Sequence, residues 1–204
     1  MKSFNHVNMP CRVLHGAGRV ADLPAEIEAL SAERVMFCCT KSRAPEVEKL
    51  AARLGDRVAG ICDAAKIFVP IQAVEIARKM AANLKADCVV SYGGGTAVGL
   101  AKATALEHAM PIISIVTTYS GSETTALQGI IGRDGVRTNY RDMVMLPRVL
   151  IYDPELMLDV PLDVSIASGF NSISHAVSSY LGKDANPVAD MFSEMVSALC
   201  LKRW

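Results

Sequence analysis

The chain has no excess charge of either sign. Its 21 Lys and Arg are matched by 21 Asp and Glu, for a formal net charge of zero. Nucleic-acid and membrane-surface binders need clustered Lys and Arg, so neither nucleic acid nor a membrane is expected as a partner. Long apolar runs are also missing. No window approaches the roughly 18 uncharged apolar residues of a membrane span. The opening Met1-Lys2-Ser3-Phe4-Asn5-His6 holds no apolar run, so no signal peptide is expected. No C-x-x-C pair occurs among the six cysteines, Cys11, Cys38, Cys39, Cys62, Cys88 and Cys200. Several sit inside apolar, strand-like runs. That usage fits reduced, core-filling thiols of a cytoplasmic protein and speaks against a disulfide framework or a zinc site. What is present is enough apolar material for a real core: 51% of 204 residues, against 21% charged. The length suits one large domain, or one domain and part of another.

The stretch that organises the rest is residues 87–102, Asp-Cys-Val-Val-Ser-Tyr-Gly-Gly-Gly-Thr-Ala-Val-Gly-Leu-Ala-Lys. Residues 88–92 are apolar or β-prone and too few for a helix, as in a parallel strand covered on both faces. Gly93, Gly94 and Gly95 permit backbone angles and close approaches that a Cβ would block. Thr96 is a candidate N-cap, and residues 97–106 are rich in helix formers. Strand, glycine turn and helix N-terminus together make an anion site, with a phosphate or pyrophosphate as the natural guest. Three glycines also serve a plain tight βα turn, and that reading stays open on these residues alone.

Further apolar runs mark strands at residues 11–14, 34–39, 58–61, 111–116 and 147–154. Helical spacing marks residues 20–30, 44–54 and 71–84, the second with Pro45 in its first turn and Gly55 as a stop. The alternation predicts an α/β fold: a parallel sheet with helices on both faces, and ligands beyond the carboxyl ends of its strands. Gly16 and Gly18 follow the first strand as a turn that lines a pocket, without the third glycine of a dinucleotide fingerprint. After residue 116 comes Thr117-Thr118-Tyr119-Ser120-Gly121-Ser122-Glu123-Thr124-Thr125. It lies at the same sheet edge, and its hydroxyls suit a cofactor's phosphates or ribose; self-satisfied loop hydrogen bonds are the plain alternative. Residues 129–138 read as a hairpin turning at Gly132-Arg133-Asp134-Gly135. Strand signals then stop, and residues 163–180 and 188–201 read as helices. Asn171 and His175 lie four apart on the first of these. A lone His on an apolar helix is usually a hydrogen-bonded core residue, and Asn is a poor ligand for iron or zinc.

These motifs resemble, in order and spacing, the iron-type alcohol dehydrogenase family, and within it the maleylacetate reductase branch. The carriers are residues 14–18, Tyr92-Gly93-Gly94-Gly95-Thr96 with Gly99 and Lys102, residues 117–123, residues 134–138, residues 149–153 and residues 168–177. The resemblance implies a dehydroquinate synthase-like arrangement: an NAD(P)-binding α/β domain at 1–160 and, at 161–204, the first helices of an all-helical domain. It implies a cofactor site of Gly94, Gly95, Thr96, Thr117, Thr118, Ser120 and Ser122, with Arg137 at the family's basic hairpin position. The ribose-binding acid of many members is replaced here by Thr40-Lys41-Ser42-Arg43. A 2′-phosphate is then expected to pair with Lys41 or Arg43, and both NADH and NADPH to be used. The metal-binding Asp falls on Asn171 and a metal-binding His on His175. That implies the metal-free reductase branch, with His175 as a donor in the substrate cleft. The implied reaction is NAD(P)H-dependent reduction of maleylacetate, a dicarboxylate, to 3-oxoadipate in aromatic degradation, by a cytoplasmic homodimer. Family chains run to roughly 350 residues, as two such domains require, so a truncated helical domain is expected. The alternatives are a metal-dependent alcohol dehydrogenase and a non-catalytic NAD(P)-binding remnant.

Overall fold

Side chains alternate across a strand, so a run that is apolar at every position must be covered on both faces. Eight strands form in the computed structural model, which describes residue 4 and residues 10–202. They are β1 (Arg12–His15), β2 (Val35–Cys38), β3 (Val58–Cys62), β4 (Cys88–Gly93), β5 (Ile112–Val116), β6 (Leu127–Ile131), β7 (Arg137–Arg141) and β8 (Val149–Tyr152). Six of them make one sheet in the order β1-β8-β5-β4-β2-β3, every pairing parallel. β6 and β7 form a separate antiparallel hairpin. The expected α/β parallel sheet is the fold found. The expectations about the first residues and the last two lie outside the described residues.

Six helices follow the strands: α1 (Leu23–Ala29), α2 (Ala44–Leu54), α3 (Ile71–Leu84), α4 (Gly95–His108), α5 (Leu162–Tyr180) and α6 (Pro187–Lys202). Met36, Cys38, Val89 and Ile112 pack on one face, against Val74, Ala77 and Ala81 of α3 and Leu100 and Ala101 of α4. Val35, Phe37, Val90, Ile113 and Ile115 pack on the other, against Leu23 and Ile27 of α1 and Val47 of α2. Thus α2 leaves β2 on one side of the sheet and α4 leaves the adjacent β4 on the other. Neighbouring strands whose helices diverge leave a crevice at their carboxyl ends, the usual ligand position in open α/β sheets.

α4 is buried from Ala97 to Ala105, between the sheet, α3 and the β6–β7 hairpin. Such depth demands small residues. A Cβ added at Gly99 would lie 2.6 Å from Val69 Cγ2 and 2.9 Å from Gln128 Oε1. Two expectations are corrected. The helix expected from residue 20 begins as a 3-10 turn, Arg19–Asp22, and becomes α-helical only at Leu23. Pro24 explains the delay: it has no N–H to donate and fits only a first turn. Thr96 is not the N-cap of α4. Gly94 is, with φ −90° and ψ −161°, and its carbonyl accepts from Ala97 N (3.0 Å) and Val98 N (3.1 Å).

Residues 10–159 form one compact unit, and residues 160–202 belong to a second. In the second, α5 and α6 pack on each other. Ala176 is buried there, while Phe170 (71%) and Leu181 (76%) are largely exposed. Among the described residues no helix is long and apolar enough to cross a membrane.

Candidate functional site: a glycine turn under a hydroxyl loop

β4 ends in Gly93, whose φ of 141° lies where a side chain is strained. The chain passes through the extended Gly94 into α4. The first N–H groups of that helix have no intrahelical acceptor and carry the positive end of its dipole. The loop after β5 lies directly over this turn. Thr117 N donates to Gly93 O at 3.2 Å. A Cβ at Gly94 would collide with Thr118 Oγ1 and lie 2.9 Å from Thr118 Cγ2. A Cβ at Gly95 would meet Ser120 Oγ at 3.2 Å. Gly94, Gly95, Thr96, Thr118 and Ser122 are all half-buried, so the turn is neither sealed by side chains nor fully open.

The loop's own hydrogen bonds involve Ser120, Thr124 and Thr125. Ser120 Oγ donates to Glu123 Oε2 (3.2 Å) and accepts from Ser122 N (3.2 Å); Thr124 Oγ1 donates to Gly121 O (2.8 Å) and Thr125 Oγ1 to Ser122 O (3.0 Å). Part of the hydroxyl cluster therefore satisfies itself, as the plain loop reading supposed. Thr117 is buried and Thr118 faces Gly94.

Two groups that sequence patterning did not assign to the site hold this loop. Glu123 is 2% exposed and accepts from Tyr152 Oη at 2.9 Å as well as from Ser120. Burial, then the Glu123 carboxylate, hold the Tyr152 phenol well above its usual range. Lys102 is fully buried. Its Nζ donates to Ser122 O (2.5 Å), Thr125 O (2.6 Å), Thr125 Oγ1 (3.0 Å) and Leu127 O (3.1 Å). Burial pushes its pKa down to about 8, and the nearby Glu123 carboxylate opposes that shift. The available signal for Lys102 was one lysine inside an otherwise apolar helix.

The remaining expected residues lie as follows. Lys41 and Ser42 are exposed on the turn after β2. Arg43 is not free for a phosphate. It pairs with Glu46 (2.9 Å) and Asp159 (2.9 Å), and Glu46 in turn accepts from Tyr92 Oη (2.9 Å). Arg137 is exposed in β7 and lies across Gly129 of β6, where its guanidinium occupies the space a side chain would need. Gly16 and Gly18 close β1, with Gly16 N donating to Tyr152 O (3.1 Å) and Val20 N to Asp153 Oδ2 (3.1 Å). Asn171 and His175 are exposed on α5, in the second unit.

The sequence of residues 10–154 matches the family described as iron-containing alcohol dehydrogenase. This chain belongs to that family. It is 43% identical over 183 residues to a maleylacetate reductase of Burkholderia cepacia, covering 90% of this chain and 52% of that one. It is 40% identical over 191 residues to another from Sphingobium indicum, covering 94% and 54%. A crystal structure of maleylacetate reductase from Agrobacterium tumefaciens superposes with a TM-score of 0.90 at 38% identity, covering 95% and 55%. The chain thus spans about half the length of the curated relatives it matches. The matched relatives are reductases by name. The family's description carries iron, which lends no support to the expected metal-free site. The donors within this chain do not by themselves suit iron: a neutral amide and one imidazole, with no cluster of three His, Cys, Asp or Glu among the described residues.

Proposed function

We propose that this chain is the nucleotide-binding part of an NAD(P)H-dependent reductase of the maleylacetate reductase kind. The observation that carries the reading is the seating of Thr118 over Gly94 and of Ser120 over Gly95 at the mouth of α4. The guest proposed for the half-buried face of this turn is a diphosphate. The glycines let it approach the backbone, the helix N-terminus supplies donors and positive potential, and the loop adds hydroxyls. The backbone at Gly94, Gly95 and Thr96 grips the diphosphate, with Thr118, Ser120 and Ser122 closing over it and Thr117 fixing the loop to β4. Lys41, exposed where an acid would exclude it, takes a 2′-phosphate, so both NADH and NADPH serve. Arg137 supplies positive charge from the hairpin.

The bound nicotinamide supplies hydride to a carbon–carbon double bond conjugated to a carbonyl in a dicarboxylate, maleylacetate by similarity to the relatives. The protein's task is to hold the two carboxylates and to place donors at the enolate oxygen as charge develops there. His175 is the donor proposed from this chain, in a helical domain that begins at residue 161. The working form is a cytoplasmic homodimer without a resident metal. Steady-state assays with maleylacetate and each cofactor, beside metal analysis of the purified protein, test this. Turnover with NADH and NADPH in metal-free protein is expected. Turnover that requires added iron would favour the metal-dependent alcohol dehydrogenase reading. Cofactor binding without turnover would favour a non-catalytic remnant.

A further inference from the structure

Lys102 has no part in the proposed contacts with the cofactor, yet it is the only charged side chain buried in α4. Its ammonium sits among four oxygens, three from loop residues Ser122 and Thr125 and one from Leu127 at the start of β6, and all four are acceptors. Ser122 O also accepts from Thr125 Oγ1, and Ser122 N donates to Ser120 Oγ. A continuous hydrogen-bonded path therefore runs from the third turn of α4 to the hydroxyl that overlies Gly95. The same helix begins at the glycine turn. One rigid element thus carries both the turn and the group that fixes the loop above it.

We infer that Lys102 is a positioning residue: from inside α4 it holds residues 120–127 in place beside Gly94 and Gly95, where the proposed diphosphate binds. The inference rests on the nucleotide reading of the turn. The carbonyls of Ser122, Thr125 and Leu127 converge on one point, which a backbone does not do without a cation or donor at its centre. A buried ammonium is costly unless its donors are satisfied, and here acceptors outnumber its three protons. Removing it takes the ammonium from all three carbonyls, of which Ser122 O keeps Thr125 N and Oγ1, and favours a loop that turns outward to water.

The test compares Lys102→Met with the parent chain by amide hydrogen exchange over residues 118–127 and by NADPH titration. Exchange in that segment is expected to rise at least tenfold, with α3 and the strands unchanged, and the Kd for NADPH to rise at least tenfold. In Lys102→Ala, propylammonium chloride is expected to restore at least threefold of the lost affinity where equimolar potassium chloride does not. Should Lys102→Met fail to fold, Thr125→Val, which removes one acceptor and the link to Ser122 O, is expected to raise the Kd twofold to fivefold. Unchanged exchange in the loop would overturn the inference whatever the parent binds. Faster exchange with unchanged NADPH affinity would overturn it too, leaving Lys102 a structural residue only. A parent chain that binds no NADPH would sink the nucleotide reading instead, and the exchange data would still decide whether Lys102 anchors the loop.

Discussion

Gly94→Ala isolates the contact on which the site depends. With φ −90° and ψ −161° the backbone at this position is open to any L-residue, so alanine brings no conformational strain. Its effect is steric. The new methyl would collide with Thr118 Oγ1 and lie 2.9 Å from Cγ2 and 3.2 Å from Cβ. A β-branched side chain keeps a heavy atom in at least one of the first two positions in every staggered rotamer, so the loop must lift. Overpacking of this kind costs about 1–3 kcal/mol. A lifted loop also withdraws its hydroxyls from the diphosphate, for roughly a tenfold to hundredfold loss of NADPH affinity at about 1.4 kcal/mol per factor of ten. Urea unfolding and NADPH fluorescence titration read the two effects separately. Thr118→Ala removes the two nearest atoms, so in that background Gly94→Ala should cost less than about 1 kcal/mol, a coupling that a double-mutant cycle measures. Equal costs in both backgrounds, or an unchanged Kd in the single variant, would refute the reasoning.

Other expectations concern charge, pH and backbone. Burial raises the thiols of Cys39 and Cys88 to about 12. Their folded pKa lies above the unfolded value, so the stability they contribute is complete below pH ~9 and is lost as pH rises towards 12. Lys102, lowered to about 8, acts in the opposite sense between about 8 and its unfolded value. Two thiols outweigh one amine, so urea midpoints should fall above pH 9. Cys88→Ala should flatten that fall, and an equally steep fall in the variant would show the thiol uninvolved. Lys41→Asp should raise the Kd for NADPH at least tenfold while leaving that for NADH within about threefold, because a carboxylate repels only the 2′-phosphate; parallel losses would remove Lys41 from that role. Lys85 caps α3 with φ 50°, so Lys85→Gly should raise stability by about 0.5–1 kcal/mol in thermal unfolding.

Much of the fold was legible because the inner strands β2, β5 and β8 are apolar at nearly every position and the helices are punctuated. α2 runs from Ala44 to Leu54 and α3 from Ile71 to Leu84, the limits that Pro45, Gly55 and Pro70 suggest. The strand order was not legible. β8 lies between β1 and β5 through registers such as Leu14 with Ile151 and Ile115 with Ile151, and nothing local to residues 149–152 encodes those partners. The glycine turn and its hydroxyl loop were visible as neighbours at one sheet edge. Which hydroxyl met which glycine was not, since Thr118 over Gly94 follows from the height of the loop. Glu123 and Lys102 stood out only as members of the family motifs, and tertiary packing buries them. Phe68 and Val69 have φ of 66° and 49°, and Val69 is held from a distance in sequence by Ile131 N donating to its carbonyl. No propensity argument reaches such a pair.

Phosphorus NMR of the bound cofactor addresses the central claim most directly. The two diphosphate resonances of NADPH should shift and broaden on adding the chain. In Gly94→Ala that change should be largely lost, while a control substitution at exposed Lys85 preserves it. Diphosphate resonances that stay at their free positions in the presence of the parent chain, or that respond identically in Gly94→Ala, would contradict the account.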